Sequence, residues 1–260
     1  MQFDILTKKA CQIIFETGKF IKQQQITAAD VEVKSKNSLV SFVDKEAEKM
    51  LVSGLSKLLP ESGFLTEEET VKLSSKSFTW IIDPLDGTTN FIHQIPSYSI
   101  SVALMHENQL VLGIVFEINL NEMFYAYKKG GAFLNDKKIS VSNSNLLENA
   151  LIATGFPYYD YTKEEEYMLL FKDLMKATRG LRRLGSAAVD LAYTACGRFD
   201  VFYEYSLNPW DVAAGAFIVQ QAGGRVVDFS GGNDFLFGKE IIASNPFVFE
   251  EFLQKIKQYF

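Results

Sequence analysis

Acidic side chains gather in three separate stretches of the 260-residue chain: Glu67-Glu68-Glu69, Asp83 and Asp86 within Asp83-Pro84-Leu85-Asp86-Gly87, and Asp211 beside Trp210. Carboxylates are the oxygen donors that hard divalent cations take. Pro84 restricts Asp83 to an extended conformation, and a turn after it can bring Asp86 and the Leu85 carbonyl round to the same point. Two carboxylates and a carbonyl could then share metal ions. An Asp-Pro-x-Asp-Gly segment is also ordinary turn chemistry, so by itself it leaves a plain turn and a metal site both open.

The residues that follow, Gly87-Thr88-Thr89-Asn90, look like the small, hydroxyl-bearing opening of a helix. Such a terminus offers free N–H groups to an anion. Carboxylates for a cation would then sit beside amides for a phosphate, the arrangement needed when Mg²⁺ polarises a phosphate ester. A capped surface helix accounts for Thr88 and Asn90 but gives the neighbouring acidic cluster no purpose. Other conspicuous residues point away from catalysis. His93 and His106 lack a Ser or Cys nucleophile motif around them, and His106 lies in a turn signal. Arg182-Arg183 could bind a phosphate or stand exposed, and Glu164-Glu165-Glu166 suits a solvated first helical turn. Cys11 and Cys196 stand far apart in apolar helical patterns, as buried free thiols do.

The elements that must position these groups follow from periodicity. Phe3, Leu6, Ala10, Ile13, Ile14 and Ile21 mark an amphipathic helix, and Ala47, Met50, Leu51, Leu55 and Leu58 a second from about Asp44 to Leu59, ended by Pro60. The β-branched stretch from Val31 to Val43 suits a hairpin or loop between them. Phe78-Thr79-Trp80-Ile81-Ile82 is a compact strand stopped by the Asp83–Gly87 turn. Strands at 100–105, 110–116 and 122–127 form a meander, and a turn-rich β region runs on to about Val141. A small strand at 150–155 opens the second half. Helices are predicted at 163–176, 186–196, 212–222 and 247–259, and strands at 200–203, 225–229 and 241–243.

With 47% hydrophobic and 22% charged residues the composition is globular, and no apolar stretch is long or clean enough to span a bilayer. Met1-Gln2-Phe3-Asp4 opens without a basic region and apolar block, so a cytoplasmic protein is expected, with no membrane partner. The net charge of −6 argues against a nucleic-acid partner, which needs clustered cations. A small phosphorylated substrate is compatible with it if divalent metals supply the positive charge.

Trp80-Ile81-Ile82-Asp83-Pro84-Leu85-Asp86-Gly87-Thr88-Thr89-Asn90-Phe91 resembles the first signature of the inositol monophosphatases. Asn208-Pro209-Trp210-Asp211-Val212-Ala213-Ala214-Gly215, followed by Gln221-Ala222-Gly223-Gly224, is similar to the second, and the likeness runs from Asp44 through Arg183-Leu184-Gly185-Ser186-Ala187-Ala188 to the terminal helix. The resemblance implies a layered α+β sandwich (αβαβα), with a larger N-terminal lobe at 1–145 holding an antiparallel sheet and a smaller α/β lobe at 146–260. It implies two or three Mg²⁺ ions on Glu67, Asp83, Asp86, Asp211 and the Leu85 carbonyl, with Gly87 and Thr88 at the phosphate. Thr66 stands before Glu67 where the family commonly has Gly, which leaves the choice among the three glutamates open. Asp44 and Thr88 would orient the water, and Glu67 with the Thr88/Asp44 pair would take up its proton during in-line attack. Glu204, Ser186 and Ala187 would lie near the hydroxyls of the leaving alcohol, with Asp86 and Asp211 also at the substrate. Either Lys34 or Lys36 corresponds to an active-site lysine, and the resemblance puts Arg182-Arg183 near the subunit contact, which favours an exposed or interface role over substrate binding. The implied activity is Mg²⁺-dependent hydrolysis of a small phosphate monoester of a polyol or sugar, foremost myo-inositol monophosphate, by a lithium-sensitive homodimer. Fructose-1,6-bisphosphatase and 3′-phosphoadenosine 5′-phosphate phosphatase are the alternatives within the superfamily, and Thr89-Asn90-Phe91 favours the inositol type. A binding or regulatory protein that keeps the fold is the alternative outside catalysis.

Overall fold

A computed structural model of the chain describes residues 2–24, 31–35, 38–72, 76–157 and 160–260, and for 31–35 and 38–41 the backbone alone. Lys36 therefore lies outside the described residues, and of Lys34 only the main chain is described.

The first helix, α1 (Phe3–Gln23), buries Leu6, Ala10, Ile14 and Ile21 along one stripe. An antiparallel hairpin of β1 (Val31–Ser35) and β2 (Ser38–Ser41) leads into α2 (Phe42–Leu58). A seven-stranded sheet follows, its strands adjacent in chain order: β3 (Gly63–Thr66), β4 (Phe78–Asp86), β5 (Ser99–His106), β6 (Gln109–Glu117), β7 (Glu122–Tyr127), β8 (Gly131–Leu134) and β9 (Lys137–Ile139). β3 pairs parallel with β4, and the later neighbours pair antiparallel. The short α3 (Thr88–Ile92) fills the connection from β4 to β5.

The second half interleaves β10 (Leu151–Thr154), α4 (Glu164–Ala177), β11 (Gly180–Arg182), α5 (Ala187–Ala195), β12 (Val201–Tyr205), α6 (Pro209–Gln221), β13 (Arg225–Val227), β14 (Glu240–Ser244) and α7 (Phe249–Ile256). Its strands form a five-stranded sheet in the order β11-β10-β12-β14-β13.

Strand alternation sorts the side chains into three apolar layers. Trp80, Ile82, Ile100, Val102, Leu112 and Ile114 pack with Ala10, Ile14, Leu51 and Leu55 of α1 and α2. Ile81, Ala103 and Val115 point through the other face into a layer with Leu191, Ala214 and Ile218 of α5 and α6, which Phe202, Ile241 and Ala243 close from the second sheet. Val201, Tyr203 and Ile242 face outward against Leu170 and Leu174 of α4 and Phe252 of α7. The order is thus helices, sheet, helices, sheet, helices, the αβαβα sandwich. Close approach of α6 to the first sheet requires a bare Cα in β6, since a Cβ at Gly113 would stand 2.6 Å from the Ala214 carbonyl oxygen. Among the described residues no helix is long and apolar enough to cross a membrane.

Several sequence expectations differ in detail from the fold. The strand begun at Phe78 does not end in a turn at Asp83 but continues to Asp86. β3 and β11 are four and three residues long, too short to show a period, and were not expected. His106 ends β5 and stacks on Phe78 with ring centroids 4.1 Å apart, instead of lying in a turn. Both cysteines are free and partly buried, and burial pushes the Cys11 thiol up to about 12.

Candidate active site

The geometry starts from a one-residue irregularity in β4. Asp83 pairs with Ser101 of β5, but Asp86 pairs with Ser99, so three steps on one strand match two on the other. Asp83 and Asp86 are an odd number of residues apart and in a regular strand would point to opposite faces. The extra residue restores them to one face, and the missing N–H of Pro84 falls within the break, where the ladder does not need it. β3 stops at Thr66, opposite Ile82, and the Glu67 N–H then donates to the Ile82 carbonyl at 3.2 Å, which sets Glu67 beside Asp83.

Asp211 comes from the first turn of α6, after Pro209 at the helix start. Its Oδ2 accepts the Asn208 N–H at 2.7 Å. The Ser101 hydroxyl donates to the Trp210 carbonyl at 2.9 Å, tying this turn to the β5 residue that pairs with Asp83. Four carboxylates from three strand or loop positions and one helix therefore crowd together. Burial and the charges of Glu67, Asp86 and Asp211 hold the Asp83 carboxyl well above its usual range. Burial and the Asp86 charge do the same to Asp211. Asp86 rises to about 6 through burial, against the Ser186 hydroxyl and Ala188 N–H that donate to its Oδ2 at 2.6 and 2.7 Å.

Beside the carboxylates, Gly87 adopts φ +95°, a left-handed conformation that a side chain resists, and lets the chain turn into α3. The Thr88 hydroxyl lies 2.9 Å from both Asp44 Oδ1 and the Leu85 carbonyl. Asp44 is buried in the first turn of α2. Asn90 serves neither as cap nor as surface residue; its side-chain amide donates to the Ser97 and Leu184 carbonyls at 2.7 and 2.8 Å, clamping α3 to the loop before α5.

That loop and β12 form the other wall. Burial pushes the Glu204 carboxyl up to about 8, with the Asp86 charge adding to it and Arg183 opposing it. Arg183 is half-buried, its guanidinium 5.5 Å from the Phe156 ring centroid, and its charge also acts on Asp86; Arg182 alone is exposed. Of this pair Arg182 is exposed while Arg183 turns inward, and nothing in the spacing of two adjacent arginines shows which one does so. Asp190 was also missed. It is buried on α5, its Oδ1 has no hydrogen-bond partner, and burial with the charges of Glu204 and Asp86 raises its carboxyl well above the usual range. Ser186 stands at this wall, but its hydroxyl is committed to Asp86 and lies 3.2 Å from that of Ser99, while Ala187 is buried in the apolar layer.

The candidate donors are all oxygen: four carboxylates and the Leu85 carbonyl. They suit a hard divalent cation and offer no soft ligand to a thiophilic one. Among the described residues, no three His, Cys, Asp or Glu side chains already stand in a metal-holding arrangement.

The model of the inositol monophosphatase family matches residues 3–259. An inositol-1-monophosphatase of Mesorhizobium japonicum is 37% identical over 250 residues, covering 95% of this chain and 94% of its own. A putative Nus factor SuhB of Neisseria meningitidis is 42% identical over 235 residues, 90% of each chain. The crystal structure of the extragenic suppressor protein SuhB from Bartonella henselae superposes with a TM-score of 0.91 at 36% identity, covering 98% of this chain and all of its own.

Proposed function

Because the chain belongs to the inositol monophosphatase family, whose members are generally metal-dependent phosphatases, we propose that it hydrolyses a small phosphate monoester with Mg²⁺, foremost myo-inositol monophosphate. The observation that carries this reading is the crowding of Glu67, Asp83, Asp86 and Asp211 next to the Gly87–Thr88 turn. Unscreened carboxylates at such proximity oppose one another's ionisation, and a divalent cation relieves that repulsion. Two or three ions would be held by these four side chains and the Leu85 carbonyl. When bound, magnesium would neutralise the phosphate oxygens, activate the attacking water and stabilise the leaving alkoxide.

The remaining roles fall to the chain's own groups. Gly87 and Thr88 present main-chain N–H groups towards the phosphate. Thr88 has one hydroxyl proton and two acceptors at equal distance. Donating it to Asp44 leaves its oxygen free to accept a hydrogen bond from the attacking water, whose one transferred proton is taken up by Glu67 and the Thr88/Asp44 pair and returned to the leaving alkoxide. Glu204, beside Arg183, faces the alcohol and selects for hydroxyls, while Ser186 acts by fixing Asp86. The same reading carries a homodimer, inhibition by lithium and a cytoplasmic setting.

Turnover of myo-inositol 1-phosphate, fructose 1,6-bisphosphate and 3′-phosphoadenosine 5′-phosphate, each with Mg²⁺ and with chelator, tests the proposal. Fastest chelator-sensitive turnover is expected for the inositol ester. Preference for either other substrate would move the chain to a sister activity, and no turnover of any would reject the reading.

The name of the Neisseria relative, a putative Nus factor, favours a second reading, a role of that kind that does not depend on turnover. It need not use the carboxylate cluster. A catalytically dead Asp86→Asn protein that still complements a strain lacking the gene would establish a role apart from turnover.

A further inference from the structure

Gly155 directly follows β10, and the parallel register that pairs Thr154 with Tyr203 sets it next to Glu204 on β12. Its carbonyl accepts the Tyr167 hydroxyl at 2.6 Å and the Thr154 hydroxyl at 3.2 Å, so the peptide is fastened from the side of the outer apolar layer. A Cβ built on Gly155 would stand 1.9 Å from Glu204 Oε1, 2.0 Å from Cδ and 2.2 Å from Oε2. The Glu204 carboxylate thus occupies the volume that any other residue at 155 would fill.

The usual reasons for glycine do not apply here. Gly155 is not among the glycines with positive φ, so its backbone would accept a side chain. Where the Cβ of Gly113 would meet the Ala214 carbonyl first, the three atoms nearest a Cβ at 155 all belong to the far end of one flexible side chain. A methyl group at 155 therefore has to displace the carboxylate before anything else.

We propose that Gly155 is a specificity-determining residue, whose bare Cα is the seat that holds the Glu204 carboxylate in position for the hydroxyls of the leaving alcohol. The proposal rests on the reading that Glu204 faces the alcohol. It makes Gly155 a positioning residue that acts through Glu204, and it predicts that the two behave as one unit.

The test compares full-length wild type, Gly155→Ala, Glu204→Ala and the double variant in two measurements. The first is kcat/KM for myo-inositol 1-phosphate relative to p-nitrophenyl phosphate, whose leaving group lacks a polyol's hydroxyls. Gly155→Ala should lower this ratio by about tenfold or more, chiefly through KM of the inositol ester. In the Glu204→Ala background the same change should move it by less than about twofold, because the group it displaces is gone. An unchanged ratio in Gly155→Ala, or equal and additive losses in both backgrounds, would overturn the proposal. The second measurement, thermal unfolding, needs no turnover: Gly155→Ala should lower Tm in wild type and lower it much less in Glu204→Ala, and an equal drop in both would overturn the seat. If wild type hydrolyses neither ester, the phosphatase reading fails while the unfolding cycle still decides on the seat. Should Gly155→Ala fail to fold alone, its folding in the Glu204→Ala background supports the proposal and its failure there counts against it.

Discussion

Glu48 Oε2 accepts the main-chain N–H of Glu68 at 2.8 Å, so a buried side chain of α2 fixes the peptide that follows Glu67. Its other oxygen accepts the Thr70 N–H at 2.8 Å and the Thr70 hydroxyl at 2.6 Å. Glu48 stands one helical turn after Asp44, so one face of α2 braces both the Glu67 loop and, through Thr88, the start of α3.

Glu48→Gln keeps the shape but turns an amide N–H₂ towards groups that need an acceptor. The expected loss of stability is about 1–3 kcal/mol, since buried donors lose their partner. Misplacing Glu67 should also raise the Mg²⁺ concentration for half-maximal thermal stabilisation. Glu46→Gln, which only loosens an exposed pair with Lys49, is the control and should change neither. Equal behaviour of the two variants in chemical denaturation and Mg²⁺ titration would refute the bracing role.

The raised carboxyls set the pH dependence of the metal-free protein. Asp83, Asp86, Asp211 and Glu204 each bind a proton more tightly folded than unfolded. The folded chain therefore holds more protons between the ordinary carboxylate range and the raised values, and stability falls as pH rises through that window. For Glu204 the window runs from 4.5 to about 8. In chelator, Tm should be highest at the acidic end of the window and decline towards neutral and mildly alkaline pH, and Glu204→Gln should make the decline shallower. A Tm that climbs across the window would contradict the charge crowding.

Ser186 separates two roles by kinetics. If its hydroxyl serves Asp86, as the 2.6 Å contact indicates, Ser186→Ala should lower kcat by about tenfold and weaken the Mg²⁺ response, leaving KM for the ester nearly as it was. A rise in KM alone would return Ser186 to direct contact with the alcohol.

The strongly periodic elements were legible: the α1 and α2 stripes, the β5–β7 meander and the alternation of helix and strand after residue 150. The two signatures also named Asp83, Asp86 and Asp211, three of the four acidic residues that the fold draws together, while Glu67 came only from the wider resemblance. What the sequence did not reveal was how they converge. β3 is four residues long and owes its place to parallel pairing with a strand beyond a long connection, so no local pattern marks it, yet it delivers Glu67. Pro84 signals a turn in any local reading, whereas the structure uses it within a bulge that re-aims Asp86. Arg183, Asp190 and Gly155 matter through what touches them across the fold, and each is an unremarkable letter in the chain.

On the proposed function, Asp86 belongs to a carboxylate cluster that holds Mg²⁺. Asp86→Asn removes one charge with little change of shape, and should cut turnover by about two orders of magnitude or more, while the metal-free protein stays folded and unfolds at an equal or slightly higher temperature. The direct measurement is a thermal-shift titration of wild type and Asp86→Asn with Mg²⁺ after chelation. Wild type should rise in Tm as the ion binds the native state alone, and the rise should shrink or vanish in the variant. An undiminished Mg²⁺ response in an inactive Asp86→Asn protein would contradict the claim.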